Sequence, residues 1–261
     1  FVEIAGETII IPTTENLKRW TGPVAIIIGV FLGLSFSTDW HQYTLFLNSS
    51  PTTVVTDPIF GLPLSFYLFT LPVLEAVAAW LLVICVIGGV AAVLMAATDV
   101  TATFKGVSFS VSLLLVAVAA QVFVGRYALL FAENGLFSGV RYVDANIILP
   151  GCWFVIAALL GGAAVAAANI RAGRIRNLAV AGAVPALTYL VAGVLAPAYV
   201  STFVVKPNEL VRETPYIHNN IEFTRNAFGL AAVEEIPFEP RVSNAVFDPA
   251  AHEDALRNIR L

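Results

Sequence analysis

Charged side chains are scarce in this chain: Asp, Glu, Lys and Arg make up 12% of its 261 residues, about half the share in a typical soluble domain. The net charge of −4 shows no basic excess and argues against nucleic acid as a partner. The two cysteines, Cys85 and Cys152, lie in separate apolar segments without metal-ligand spacing, so we interpret them as buried thiols. No phosphate loop, nucleophile elbow or HExxH zinc signature is present, so we predict no catalytic residue and no metal site.

Histidine is almost as rare as cysteine, with His41, His218 and His252. None lies inside an apolar run, which excludes a haem held between two spanning helices by histidines. His41, beside Trp40, is a weak candidate for a cofactor ligand. A solvated or capping histidine is the more common case, because ligation needs a second converging group. No cofactor is predicted, and a bound lipid is left open.

Long apolar runs are what the chain does have, with 58% hydrophobic residues. Five runs are each about as long as the ~20 residues that cross a hydrocarbon core. Because a backbone in lipid must satisfy its own hydrogen bonds, we expect each run to be a helix. The sequence therefore predicts an all-α, polytopic transmembrane bundle with spans at about 20–37, 73–97, 107–124, 150–169 and 178–200.

Basic residues are distributed unevenly between the connections. One side carries Lys18, Arg19, Lys105, Arg171, Arg174 and Arg176, and the opposite loops carry only Arg126 and Arg141. The positive-inside rule then predicts that residues 1–19 are cytoplasmic and that residues 201–261 lie outside a bacterial inner membrane. Since the chain begins at Phe1 without a signal-peptide pattern, we expect it to be a piece of a longer polypeptide.

The loop at 37–72 is rich in aromatic residues and has no Lys or Arg. Trp40, Tyr43 and Leu47 recur at helical spacing, which predicts a short helix in the outer interface. Further on, Asp57, Pro58 and Gly61 have the residue types and spacing of a turn. We interpret the loop as an aromatic interfacial belt that caps the bundle. The alternative is an aromatic-lined mouth for a lipid or a quinone-like ligand.

Few polar groups fall inside the spans. Glu75, after Pro72, is expected in the first turn of the second helix, where a carboxylate complements the helix dipole. Gln121 is expected to form a hydrogen bond to a neighbouring helix. Gly29 and Gly33 have GxxxG spacing, a weak signal for close helix pairing that packing within the bundle would also explain.

Past residue 200 the composition becomes that of a water-soluble segment. Thr214 and Pro215 predict the start of a helix, and Gly229 predicts its end. Residues 201–261 offer too few elements to bury a core of their own. We expect them to pack on the bundle or to begin a larger outer domain.

Several motifs stand out along the chain, at 45–48, 56–61, 65–72, 126–130, 142–150, 203–210, 213–217, 220–225 and 258–261. Together they resemble those of uncharacterised protein family 0182, which are large bacterial membrane proteins. The resemblance implies about seven N-terminal spans followed by a long extracytoplasmic region, of which this chain would lack the first two spans and most of the outer part. It departs from the family pattern at Asn146 and Ile148, where a histidine and an arginine are expected, so a polar role for that stretch is in doubt.

The residues do not identify an activity, and three hypotheses remain. The first is a non-catalytic scaffold or accessory subunit that packs against the bilayer and against other membrane proteins or a second copy of itself. The second is a transport or channel component, with a water-filled path that reaches Gln121 or Glu75. The third is a membrane anchor for an envelope enzyme whose active site lies outside this chain.

Overall fold

Helices account for most of the computed structural model, which describes residues 2–4, 7–9, 14–49, 55–98, 104–134, 137–233 and 253–257. Two short antiparallel hairpins accompany them, β1 (Val2–Ile4) with β2 (Glu7–Ile9) and β3 (Glu133–Asn134) with β4 (Phe137–Ser138). The α-helices of the described residues are α1 (Thr14–Thr38), α2 (Trp40–Leu47), α3 (Leu71–Thr98), α4 (Lys105–Gly125), α5 (Leu149–Ala172), α6 (Ile175–Tyr189), α7 (Ala196–Val200), α8 (Glu209–Ala227) and α9 (Glu253–Arg257).

Five helical segments are long and apolar enough to cross a membrane, which confirms the predicted all-α class and the five spans. They are longer than the predicted runs because helical turns with wider or tighter hydrogen bonding extend several of them. The five segments are Arg19–Thr38, Phe66–Ala97, Lys105–Phe131, Asp144–Ala172 and Ile175–Ala227.

The second to fifth spans pack as sequential neighbours, α3 on α4, α4 on α5, and α5 on α6. A core between α4 and α5 consists of Ala119, Val155, Ile156 and Leu159. α5 and α6 approach most closely at Gly162, where a Cβ would meet the backbone oxygen of Ala181. The close contact of this bundle therefore depends on a glycine in its interior.

The first span lies at the edge of this bundle, with few contacts to α3. Its one aromatic anchor is Phe36, which stacks on Tyr43 of α2 at 4.3 Å and meets the ring of Trp80 edge-on at 5.5 Å. No residue of the Arg19–Thr38 segment is buried. Most of α1 therefore remains available to lipid or to another helix.

The bundle has two ends, which we name by their central polar residues. At the Asp57 end lie the start of α3, the end of α4 and the start of α5. At the Asn169 end lie the start of α4, the end of α5 and the start of α6. Consecutive spans run in opposite directions between these ends, as short connections require.

The last span does not stop near residue 200. The helical conformation continues through α7 and two tighter or wider turns into α8. The helix start predicted at Thr214 is wrong: α8 begins at Glu209, and Pro215 lies inside it. The predicted end is confirmed, because α8 stops at Ala227 and Gly229 adopts a left-handed φ of 67°.

By its contacts the chain divides into two compact units, Phe1–Glu222 and Phe223–Leu261. The first contains the first four spans, the fifth span up to Glu222, and both bundle ends. The second contains the last residues of α8, a 3₁₀ turn at Leu230–Ala232 and α9.

Candidate functional site: the Asp57 end of the bundle

A single buried carboxylate organises the loop between α2 and α3. Asp57 Oδ1 accepts hydrogen bonds from the backbone N–H groups of Ile59 (2.8 Å) and Phe60 (2.7 Å). Its Oδ2 accepts from the N–H of Leu62 (3.0 Å). The Gly61 N–H donates to the Asp57 carbonyl oxygen at 3.1 Å, and Gly61 has a φ of 68° that a residue with a side chain rarely adopts. The turn predicted from Asp57 and Gly61 is therefore present.

The same carboxylate ties this loop to the membrane-spanning helix that follows it. The Tyr67 hydroxyl donates to Asp57 Oδ2 at 2.6 Å, a short bond typical of an ionised acceptor. Tyr67 is itself buried in a cluster with Leu71, Ala78, Val124 and Tyr127. Loop, α3 and α4 are thus joined around one side chain, because a buried carboxylate is tolerated only when its oxygens are paired.

Aromatic rings surround this cluster, and one arginine lies among them. The Arg126 guanidinium lies 4.1 Å from the ring centre of Phe123, 4.7 Å from that of Tyr127 and 4.8 Å from that of Trp153 on α5. Such distances are those of cation–π attraction. Its Nη2 donates to the Tyr127 hydroxyl at 2.7 Å. Its Nε is buried and has no hydrogen-bond partner among the described residues.

Two further buried carboxylates hold the segment that leads into α5. Asp144 Oδ2 accepts from the backbone N–H of Arg141 at 2.9 Å and forms an ion pair with the Arg141 Nε at 3.4 Å. Glu213 Oε2, from α8, accepts from the next backbone N–H, that of Tyr142, at 3.0 Å. Asp144 and Glu213 are each 3% exposed, so their hydrogen bonds to the neighbouring backbone N–H groups of Arg141 and Tyr142 are shielded from water.

Polar side chains of α8 strengthen this junction. Asn146 Nδ2 donates both to the Tyr142 carbonyl oxygen and to the Tyr216 hydroxyl, each at 2.8 Å. Asn220 Nδ2 donates to the Ser138 carbonyl oxygen at 2.7 Å. The start of the tail is therefore attached to the bundle at several points along one helix face.

The Asn169 end uses neutral groups instead. Asn169 is fully buried; its Nδ2 donates to Ser108 Oγ at 3.0 Å, and its Oδ1 accepts from the Arg174 N–H (2.9 Å) and from Asn177 Nδ2 (3.0 Å). Ser108 Oγ donates onward to the Phe104 carbonyl oxygen at 2.6 Å. One amide thereby connects α4, α5 and α6.

The residues predicted on α2 stand apart from these networks. The predicted helix is present as Trp40–Leu47, and the Trp40 and His41 rings lie 3.7 Å apart at the exposed surface. The Tyr43 hydroxyl is buried without a partner in the described region, and this burial, with a smaller effect of Asp39, raises the pKa of Tyr43 above its ordinary value. A cofactor at His41 stays a prediction.

Two predictions inside the spans are wrong. Glu75 is exposed, and it is not in a first helical turn, because the helix that contains it already begins before Phe66. Gln121 does not use its amide oxygen to join helices: this Oε1 atom is buried without a hydrogen-bond partner in the described part of the chain.

The predicted glycine pair also lies elsewhere than in the bundle core. A Cβ at Gly29 or Gly33 would meet nothing within 4 Å, so the pair makes no close contact with the part of the chain that the structure describes. Close approach occurs instead at Gly162 and at Gly151, which faces the backbone of Ala192. Pairing of α1 with a helix of another chain stays a prediction.

Several site residues were not identified from the sequence as parts of a network: Asn169, Ser108, Glu213 and the aromatic surroundings of Arg126. The bonds of Asn169 to Ser108 and of Glu213 to Tyr142, and the contact of Arg126 with Trp153, join residues that are distant in sequence, so neither spacing nor composition contains the signal. Asp144, Glu213 and Arg126 do fall within the motifs that carried the family resemblance.

Nothing in the described residues forms a metal site, since they contain no group of three His, Cys, Asp or Glu side chains that could hold an ion. His252 lies outside the described residues. A groove of about 360 Å³ between α3 and α4 is apolar and includes neither Glu75 nor Gln121; it is lined by Val86, Gly89, Val90, Val93, Leu94, Val107, Ser110, Val111 and Leu114.

The five apolar helical segments define the class of protein: a polytopic, all-α protein whose helices are long and apolar enough to span a membrane. Residues 6–261 match the uncharacterised protein family UPF0182, and the chain belongs to this family. It is 31% identical to a UPF0182 protein of Cupriavidus necator over 91% of this chain, and 34% identical to one of Clavibacter sepedonicus over 91%. A UPF0182 protein of Pelobacter propionicus is 30% identical over 96%.

These relatives are much longer than the chain, which covers 27%, 26% and 30% of them, respectively. No solved structure matches. The family name states no activity. The comparisons therefore establish the family, and the function has to be inferred from the structure.

Proposed function

We propose that this chain is a non-catalytic membrane scaffold, an accessory segment that packs against partner membrane proteins and anchors the polypeptide outside the membrane. The observation that carries the proposal is that its buried carboxylates bond to the protein's own backbone. Asp57, Asp144 and Glu213 each accept hydrogen bonds from backbone N–H groups of loops at one end of the bundle. Acid–base catalysis needs carboxyl groups that reach a substrate, whereas these hold the backbone in place.

The continuous helix from Ile175 to Ala227 supports the anchoring role. A span that leaves the membrane as a helix, and is bonded there through Glu213 and Asn220, gives the emerging chain a fixed start. Partner helices have an available surface on α1, where Gly29 and Gly33 face away from the bundle. Glycines at this spacing allow helices to approach closely.

The orientation we propose places the Asn169 end in the cytoplasm. Lys105, Arg171, Arg174 and Arg176 belong to that end. Of the spans and loops before residue 201, the Asp57 end has only Arg126 and Arg141. Single cysteines at Arg176 and Asn208, both exposed, test it with a membrane-impermeant maleimide. Labelling of Asn208→Cys from outside is expected; labelling of Arg176→Cys instead would reverse the orientation.

The scaffold proposal is tested by gentle extraction of the full-length protein, followed by mass spectrometry of its intact length and of whatever co-migrates. A stoichiometric partner or a second copy is expected, and Gly29→Leu with Gly33→Leu should release it. Gly88→Leu is the matched control, because Gly88 on α3 is likewise exposed and has nothing within 4 Å of a Cβ. A lone monomer that yields no crosslinked partner would contradict the proposal.

One observation favours a transport component as the second candidate. The Gln121 amide oxygen is buried about one turn before the end of α4, without a partner in the described chain. Buried polar groups without partners are uncommon and costly, and a water molecule in a path would satisfy this one. Water access at position 121 distinguishes the two candidates.

A further inference from the structure

Arg126 carries an unbalanced charge near the lipid-facing perimeter of the bundle. The single ion pair among the described residues joins Arg141 to Asp144, and Arg126 takes no part in it. Asp57 belongs to the same aromatic cluster but is fully occupied by the N–H groups and the tyrosine hydroxyl already described. Within the described ranges, Arg126 therefore has no ion-pair partner, and its charge faces aromatic rings.

Its hydrogen-bonding capacity is also largely unused. A guanidinium has five N–H donors in a fixed fork, and one nitrogen, Nη2, donates to the Tyr127 hydroxyl. The Nε is buried and has no acceptor in the described part of the chain. Ring faces attract a cation, but they accept a hydrogen bond from an N–H less well than an oxygen atom does. Within the described residues, the Arg126 guanidinium therefore lacks an anionic oxygen acceptor.

The surroundings indicate where such an acceptor comes from. Arg126 is only partly buried, and Trp153, whose ring it faces, is 54% exposed on α5. Arg126 directly follows α4, and Trp153 is in the second turn of α5, so both lie towards the Asp57 end of the bundle. Aromatic side chains are enriched where spans meet lipid headgroups. Trp153 is followed by Phe154, which is 68% exposed, so the surface beside Arg126 is apolar.

We propose that Arg126, with Tyr127 and Trp153, binds the phosphate of an anionic phospholipid at the Asp57 end of the bundle. The guanidinium fork matches phosphate oxygens in geometry and charge. The exposed faces of Trp153 and Phe154 pack against the acyl chains. The site goes beyond the scaffold proposal, because it would exist whether or not the chain has a protein partner.

The test is native mass spectrometry of the full-length protein in detergent with added dioleoyl phosphatidylglycerol. Arg126→Gln should weaken retention of this lipid by at least about tenfold, because it removes the charge and the fork together. Arg126→Lys should retain part of it. Arg212→Gln is the control, since Arg212 is an exposed arginine at the same end that also stacks on a ring, 5.3 Å from Tyr142; it should leave retention unchanged.

Three outcomes would overturn the proposal: equal retention by Arg126→Gln and the unmodified protein, equal loss in Arg212→Gln, or displacement of the lipid by millimolar inorganic phosphate, which would indicate a site for free phosphate. Thermal unfolding of the unmodified protein decides the matter if Arg126→Gln does not fold. Phosphatidylglycerol should then raise the Tm, as a ligand of the folded state does, and zwitterionic phosphatidylcholine at the same concentration should raise it less. An equal rise with both lipids would also overturn the proposal.

Discussion

The two ends of the bundle join their helices and loops through different kinds of polar side chain. At the Asn169 end, one neutral side chain bonds to α4, to the α5–α6 turn and to α6. At the Asp57 end, three buried carboxylates, an arginine and a set of aromatic rings do this work. The difference follows from connection length: α5 and α6 are joined by Gly173 and Arg174, whereas the loops before α3 and α5 are long.

Long loops present many backbone N–H groups that no helix satisfies. Where such a loop is buried, those groups need acceptors. A carboxylate has two oxygens with about four lone-pair sites, so Asp57 can receive three amides and a hydroxyl at once. A two-residue turn leaves few free amides, and a neutral amide side chain is then sufficient.

The largest effect is expected at Asp57, because its loss leaves several donors without an acceptor. Asp57→Ala should lower the free energy of unfolding by about 3 kcal/mol or more. The measurement is thermal or denaturant unfolding in detergent micelles. Asp39→Ala is the matched control, since Asp39 is an exposed carboxylate at the same end without a capping hydrogen bond, and it should change stability by less than about 0.5 kcal/mol. Equal effects of the two variants would remove the special role of Asp57.

Next comes the corresponding change at the opposite end. Asn169→Leu removes three hydrogen bonds and should cost about 2 kcal/mol in the same assay. Asn177→Ala removes only one of them and should cost about 1 kcal/mol. If Asn169→Leu destabilised the protein more than Asp57→Ala, the contrast between the ends would be reversed.

Helix packing between the ends is tested with two adjacent glycines. Gly162→Ala should destabilise by about 1–3 kcal/mol, because the new methyl group collides with the Ala181 backbone. Gly161→Ala is the control: it meets nothing within 4 Å and should be neutral or stabilising by up to about 1 kcal/mol. Unfolding curves that coincide for the two variants would show that α5 and α6 are not this close.

The smallest effect is local and concerns the attachment of α8. Glu213→Gln keeps one side-chain oxygen but loses the charge on the acceptor, so we expect a loss of about 1 kcal/mol. Hydrogen exchange followed by mass spectrometry should show faster exchange of the Tyr142 amide, which donates to Glu213. Glu209→Gln, in the first and exposed turn of the same helix, should leave that amide unchanged. If the Tyr142 amide were equally protected from exchange in both variants, the hydrogen bond to Glu213 would not be what attaches α8 to the bundle.

Hydropathy predicted the number of spans and their approximate positions, because an apolar run long enough to cross a bilayer is a local feature of the sequence. The short helix Trp40–Leu47 and the turn at Asp57 were also predictable, since the bonds of Asp57 to Ile59 and Phe60 lie within three residues.

The failures share a physical cause. Ser108 and Asn169 are 61 residues apart, and Tyr142 and Glu213 are 71 residues apart, so no local pattern announces either contact. The Thr214–Pro215 pair matched a helix start, but the preceding span propagated through it, because helix extension is easier than nucleation. The close approach at Gly162 was not predicted for a related reason: spacing identifies small residues but not the helix that faces them.

Water access at Gln121 tests most directly whether the spans form a closed scaffold. In the full-length protein, with Cys85→Ala and Cys152→Ala, Gln121→Cys would be treated with a membrane-impermeant maleimide, and Asn208→Cys would serve as the exposed reference. The scaffold account predicts rapid labelling at 208 and none at 121 over the same time. Labelling of both positions at comparable rates would contradict it and would favour a water-filled path through the bundle.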